Sequence, residues 1–317
     1  MDPALSPQAS SPRAAQPRDE VNNNRGLVLF LAVAFGLAWA LWGVMWLSGG
    51  LAQPDATGFL LASMYAPALG TLAAWRWADR DALRLSGVRR RGPWRWYLVT
   101  YLLIPGLLLA GALLSVLVGI QAPDPTFSAI REQAARQGIP APPTPPFEVA
   151  ALMALPAFLF APLFNMVATI GEELGWRGYL LARLQPLGPR RAALLVGLIW
   201  GVWHAPLIAM GYNYPDAPVL GPLLMTGFAL AYGVPLAWLR IRSGSVWPAA
   251  LAHGAVNADA GVMVVFLTPA SRLVGTPIGW VALIPAALFA VALLRFGRWD
   301  PKELSAQSGG PRGSASS

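Results

Sequence analysis

Eight apolar stretches, each close to the length of a bilayer crossing, follow one another along this chain. They cover roughly residues 26–47, 57–75, 96–119, 148–170 running on to about 183, 191–210, 219–239, 244–267 and 275–294. About 20 apolar residues cross a hydrocarbon core. Lipid offers the backbone no hydrogen-bond partner, so such segments are helices unless they close into a barrel. Strand alternation is absent, which removes the barrel. The fold class expected is therefore all-α, a polytopic transmembrane helical bundle of about eight spans. Composition agrees, with 56% hydrophobic and only 12% charged residues, against about 25% charged in soluble domains. With no cysteine, disulfide and thiol chemistry are excluded.

The charges give an orientation. Twenty of the 23 Lys and Arg residues fall before the first span, in 76–95, in 177–191, at Arg240 and Arg242, and from Arg295 onward; only Arg131, Arg136 and Arg272 fall in the alternate connections. Positive loops stay on the cytoplasmic side, so both termini are expected there. The net charge of +8 is then a topology signal: the implied partner is the lipid bilayer, and no nucleic acid is expected. Arginine-rich, lysine-poor composition, with much Ala, Gly and Pro, points to a high-GC bacterium and hence to its inner (plasma) membrane.

Five units are expected. Residues 1–25 form a disordered cytoplasmic tail, 26–147 the first transmembrane helices and a Pro-rich outer loop, 148–267 the chemical core, 268–297 the last span, and 298–317 a Ser/Gly-rich disordered tail. The loop 120–147 contains a short amphipathic helix, Phe127 to Gln137, then the run Pro140 to Pro146, and is read as a spacer or cap. Trp94, Trp96, Tyr97, Tyr212 and Tyr214 sit at segment ends and are read as interfacial belt residues.

Within the apolar segments a few polar residues stand out. Glu172 and Glu173 lie together at the end of a long apolar run, where each charge costs about 2.5–3.5 kcal/mol on insertion scales. Glu173 and Arg177 are four apart, share a helix face and can neutralise each other, which leaves Glu172 as the unpaired, reactive acid. The chain has two histidines, and both are intramembrane. His204 follows Trp200 by four residues, and His253 precedes Asn257 by four, so each pair shares a face. At 1.5 Å per residue, Glu172, His204 and His253 lie roughly 16, 20 and 14 Å from the Arg-rich ends of their helices. Three helices thus carry polar groups to one depth. Gly171, Gly175, Gly178, Gly201, Ala252, Gly254 and Ala255 let helices approach closely there, and Pro206 frees the carbonyl of Val202 one turn back. Asp259 points off the Asn257 face and is read as paired with an Arg or Ser, or as interfacial.

Glu172-Glu173-x-x-x-Arg177, Trp200-x-x-x-His204 and His253-x-x-x-Asn257, in this order and each in a membrane helix, resemble the three motifs of the CAAX protease and bacteriocin-processing (CPBP, or Abi) intramembrane endopeptidases. The resemblance covers about 150–265; the remaining helices agree in general topology only. The second motif carries Trp where the family often has Phe. The resemblance implies peptide-bond hydrolysis inside the membrane and a membrane-bound peptide or protein substrate, prenylated at its C-terminus or a bacterial peptide. It implies catalytic roles at Glu172, Glu173, Arg177, His204, His253 and Asn257. Glu172, helped by His204, would activate a water; His253 and Asn257 would donate to the oxyanion; Glu173 and Arg177 would position the site or the substrate. Zinc is the one cofactor to weigh, since Glu172, His204 and His253 make a three-ligand set. No His-Glu-x-x-His helix accompanies them, and Asn257 suits an oxyanion better than zinc, so the metal-free glutamate reading is preferred. Two rivals remain: a catalytically silent scaffold or immunity protein of the same fold, and a proton-coupled transporter.

Overall fold

A computed structural model describes residues 17–136, 138–275 and 277–300. The segments 1–16 and 301–317, which hold most of both expected tails, lie outside the described residues. Helix α1 (Pro17–Leu47) begins inside the stretch read as tail, because extending a helix from an apolar core is far easier than nucleating one. The second apolar stretch is broken at Tyr65 into α2 (Ala56–Met64) and α3 (Ala66–Trp77), with Pro67 at the start of α3. There follow α4 (Ala82–Ser86), α5 (Arg95–Leu117), α6 (Ser128–Arg136), α7 (Phe147–Glu173), α8 (Leu181–Leu184), α9 (Pro189–Ala209), α10 (Leu220–Ser243), α11 (Trp247–Val265) and α12 (Trp280–Phe296). Among the described residues there is no β-strand, only an isolated bridge between Pro123 and Leu267.

The chain is an all-α polytopic helical protein. Among the described residues, six helical stretches are long and apolar enough to cross a membrane: 24–47, 56–77, 95–117, 147–187, 189–209 and 220–243. Two of the eight expected spans fall short of that measure. The last, α12, has 17 residues, and α11 is diluted by His253, Asn257 and Asp259.

Packing sets α11 against α7 and α5, α9 against α10, and α1 against α3, with α12 closing on α10 and α5. The crossing of α7 and α11 is tight because Gly254 has no side chain. A Cβ there would lie 2.6 Å from the Pro162 carbonyl oxygen and 3.0 Å from the Met166 nitrogen. The Arg-rich connections gather at one end of the bundle. There Arg183 pairs with Asp79, Arg240 Nη2 donates to the Leu85 carbonyl at 2.9 Å, and Trp247 Nε1 donates to the Val88 carbonyl at 2.9 Å. At the opposite end Asp124 N donates to Phe266 O at 2.9 Å and Tyr214 Oη to Ile278 O at 2.8 Å. Two expected belt residues are core instead: Tyr214 is 1% exposed and Trp96 7%. Each lies at a helix end that another segment covers.

The loop helix expected over Phe127–Gln137 is α6; Gln137 itself lies outside the described residues. Its entry is fixed by Asp124, whose carboxylate accepts from Thr126 N (2.9 Å), Thr126 Oγ1 (2.6 Å), Ser128 N (2.7 Å) and Ser128 Oγ. Burial alone would raise this carboxyl, but the hydrogen bonds from Ser128 and Thr126 hold it down at about 2. Phe127 takes a left-handed conformation (φ 51°) and anchors the turn, stacking on Phe147 at 6.1 Å and meeting Phe266 edge-on at 5.8 Å.

Two outcomes follow from these contacts. Gly254→Ala forces α7 and α11 apart and costs about 1–3 kcal/mol, whereas Gly227, with no atom within 4 Å of its Cβ position, accepts alanine with unchanged or higher stability; thermal unfolding in detergent checks both. The Asp124 contribution is complete above its unfolded value, about 3.9, and is lost as pH falls through that value toward 2. Hydrogen exchange in 124–136 should therefore accelerate below about pH 4 in the wild type and be fast at every pH in Asp124→Ala.

Candidate active site

α7 carries the two carboxylates at its very end. Immediately after Glu173 the chain leaves the α-helical register: Leu174–Leu180 forms a widened π-helical turn. Such turns recur at functional sites because they re-aim side chains without breaking the helix. Gly175 and Gly178 make this one possible, since α3 closes on Gly175 through Pro67 and α4 on Gly178 through Ser86. Six consecutive residues of the turn, Gly175 to Leu180, are buried.

Glu173 and Arg177 pair as their spacing implies. Arg177 Nη1 lies 2.7 Å from Glu173 Oε1, and both side chains are 0% exposed. The same Oε1 receives His253 Nδ1 from α11 at 3.0 Å. The Arg177 guanidinium carbon sits 4.3 Å above the Trp200 ring of α9, a cation–π contact worth about 2 kcal/mol or more when desolvated. Glu173 Oε2 and Arg177 Nε and Nη2 are buried and have no hydrogen-bond partner among the described residues.

Among the described residues Glu172 has no salt-bridge partner, but it is not free. Trp200 Nε1 donates to its Oε2 at 2.7 Å, and the residue is 3% exposed. His204, one turn along α9, places Nδ1 2.9 Å from the Trp200 carbonyl oxygen. A carbonyl can only accept, so Nδ1 carries the proton and Nε2 of the neutral ring holds the lone pair. The same reasoning gives His253 an Nδ1–H directed at Glu173. Trp200 stands between the two imidazoles, 5.6 Å from the His204 ring and 5.1 Å from that of His253. His204 lies within electrostatic reach of Glu172, His253 and Arg177.

Five of the six candidates thus converge. Asn257 stands apart: it is exposed, one turn beyond His253 on α11. Two partnerships escaped the sequence reading. Trp200 is a hydrogen-bond donor to the acid as well as a member of its motif, and His253 is tied to Glu173 where it had been grouped with Asn257. The i,i+4 spacing reports only neighbours on one helix, and both of these contacts cross between helices. Asp259 corrects a third expectation. It is 0% exposed, and neither carboxylate oxygen has a hydrogen-bond partner, so no Arg or Ser pairs with it; its electrostatic neighbour is Tyr101 of α5. Among the described residues no group of three or more His, Asp or Glu side chains is spaced to hold a metal ion.

A polytopic helical membrane protein with an acid and two imidazoles buried where its helices cross is the class that this geometry defines. Residues 152–258 match the family model described as type II CAAX prenyl endopeptidase, Rce1-like. A curated relative, CAAX prenyl protease 2 of Methanococcus maripaludis, is 27% identical over 130 residues, which cover 39% of this chain and 46% of the relative. The chain thus spans about half the length of the curated relative it matches. The segment 152–258, which is similar to that family, holds all three motifs.

The ion pair sets an outcome for stability. Removing one partner of a buried pair costs about 3–5 kcal/mol, because the other charge is stranded. Glu173→Gln should lower the unfolding midpoint sharply, and adding Arg177→Met should recover most of the loss, as read by thermal unfolding in detergent.

Proposed function

We propose that this protein is an intramembrane endopeptidase that hydrolyses a peptide bond of a membrane-associated protein or peptide. The observation that carries the reading is the convergence of Glu172, oriented through Oε2 by Trp200, with His204 and His253, whose Nδ1 atoms are both engaged. Each imidazole then has Nε2 left for chemistry. The family match over 152–258 supports the same activity class, and the name of the archaeal relative supports a C-terminal, prenyl-linked substrate as one candidate.

In this reading a water lies between Glu172 and His204. Its oxygen attacks the scissile carbonyl carbon while its proton passes to Glu172, help worth about 10²–10⁴-fold. The carbonyl oxygen becomes an oxyanion, which His253 Nε2–H and Asn257 stabilise; one such donor is worth about 10²–10³-fold. Because Nδ1–H already faces Glu173, His253 must carry both protons to donate from Nε2. Collapse of the tetrahedral species breaks the C–N bond, and the proton held by Glu172 passes to the departing amine. Asn257, exposed as it stands, would meet the oxyanion once substrate covers α11. No step passes through a metal. The Arg-rich end is read as cytoplasmic, in a bacterial plasma membrane.

The test is cleavage of a fluorogenic peptide by the protein in liposomes, the peptide carrying either a prenylated or an unmodified C-terminal segment. Glu172→Gln and His204→Ala should each lose at least about 100-fold in rate with unfolding midpoints unchanged. Trp200→Phe, which keeps the ring but not the donor, should lose about tenfold or more, the worth of a hydrogen bond to a charged group. A strong chelator should leave the rate unchanged. No cleavage by the unaltered protein would favour the silent scaffold, full activity in Glu172→Gln and His204→Ala would overturn the roles given to those residues, and stoichiometric zinc held by His204 and His253 would overturn the metal-free mechanism.

A further inference from the structure

Arg240, near the end of α10, is a buried charge that the proposed chemistry does not use. It is 5% exposed, and its Nε and Nη1 have no hydrogen-bond partner among the described residues. No carboxylate among them forms a salt bridge with it, and its charged neighbour is Arg90, of the same sign. A buried charge without a partner is destabilising, and an apolar side chain of similar volume is often better tolerated. What the guanidinium supplies that an apolar group cannot is one bond: Nη2 donates to the Leu85 carbonyl at 2.9 Å.

That bond fixes α4. With five residues, α4 is too short to hold a helix by itself, and Arg240 takes hold of its last turn. Gly87, which follows α4 with φ 73°, lies directly over the guanidinium: a Cβ there would stand 2.6 Å from Nη2 and 2.9 Å from the guanidinium carbon. Between Leu85 and Gly87 sits Ser86, 0% exposed, its hydroxyl donating to the Leu83 carbonyl at 2.7 Å. Ser86 is also the floor of the widened turn after Glu173. A Cβ on Gly178 would lie 3.1 Å from both Cα and Cβ of Ser86 and 3.2 Å from its carbonyl oxygen. Gly178 is the residue after Arg177.

α10 reaches the same turn a second time. Gly233 precedes Arg240 by seven residues, which returns to the same helix face about 10 Å away, and its Cβ position is 3.1 Å from Arg177 Nη2. One face of α10 thus bears on the Arg177 guanidinium directly and, through Arg240 and α4, on the backbone that carries it. A displaced α4 would shift Gly178, and with it the guanidinium that meets Glu173 and the Trp200 ring. Trp200 in turn orients Glu172.

We propose that Arg240 is a positioning residue for the candidate active site: through the Leu85 carbonyl it holds Ser86 of α4 against Gly178, and so sets the π-helical turn from which Arg177 meets Glu173 and Trp200. It touches neither substrate nor the reacting atoms. Its effect on turnover rests on the peptidase reading; its hold on the turn does not.

Two substitutions separate the bond from the bulk. Arg240→Met fills the space without a donor or a charge, and Arg240→Lys keeps a donor. In detergent, amide hydrogen exchange over 174–180 should be at least about tenfold faster in Arg240→Met, a local opening, while the thermal unfolding midpoint stays the same or rises because the stranded charge is gone. Peptide cleavage should lose at least about tenfold in kcat with KM within about twofold, since an ångström of misplacement can cost about 10²-fold. Arg240→Lys should recover most of both losses. Gly178→Ala, which pushes the turn off Ser86 from the other side, should show the same faster exchange and the same fall in kcat, and it decides the question if Arg240→Met does not fold. A lowered midpoint with exchange over 174–180 and kcat unchanged would mean that Arg240 only stabilises the fold, and would overturn the proposal. An Arg240→Lys variant no better than Arg240→Met would overturn the role given to the Leu85 bond. If the unaltered protein cleaves nothing, the peptidase reading fails, and exchange over 174–180 still decides whether Arg240 sets the turn.

Discussion

One buried ion pair carries the centre of this molecule. Separating Glu173 and Arg177 from water costs several kcal/mol per ion, and the pair is retained only because its neighbours complete it. His253 supplies a second donor to the carboxylate, and Trp200 supplies a π-face to the guanidinium. Gly233 of α10 leaves room for the guanidinium, since a Cβ there would stand 3.1 Å from Arg177 Nη2. α7, α9, α10 and α11 therefore meet at a single electrostatic knot. In hydrocarbon, helices gain nothing from excluding water, so a polar knot of this kind, with close backbone approach, is what fixes their mutual positions.

The two ends of the bundle are built differently. At the Arg-rich end, short connections are stitched to one another by Arg183 with Asp79, Arg240 with the Leu85 carbonyl, Trp247 with the Val88 carbonyl, and Ser245 Oγ with the Arg90 carbonyl at 2.5 Å. At the other end, longer loops meet around an open space. The closed end ties α8, α10 and α11 to the connections between α3 and α5. On the proposed reading, the hydrolytic site needs fixed geometry for the reacting groups and access for water that lipid does not supply.

Much of this was legible in the sequence, and the limits have physical causes. The all-α class follows from hydropathy, because lipid permits few alternatives, and the span number follows only roughly, since α11 and α12 fall short of the measure. Glu173 with Arg177 was legible because both lie on one helix, where spacing dictates contact. Trp200 with Glu172 and His253 with Glu173 were not, because sequence separation says nothing about which faces of different helices meet. The π-helical turn was hidden for a related reason: the glycines within it signal close approach but not the hydrogen-bond register. Tyr214 and Trp96 look like interfacial residues by position, and only the loops folded over them make them core. Asp259 reads as paired with an Arg or Ser, or as interfacial; it is instead buried, with no hydrogen-bond partner among the described residues.

The widened turn at Leu174–Leu180 holds one residue more per turn than the helix on either side. Each residue of an α-helix rotates the chain by about 100°. Losing one position from this stretch would restore ordinary pairing and swing everything beyond it by that angle, carrying the guanidinium off the indole. Between the acid pair and α8, residue number is thus as much a part of the chemistry as residue identity.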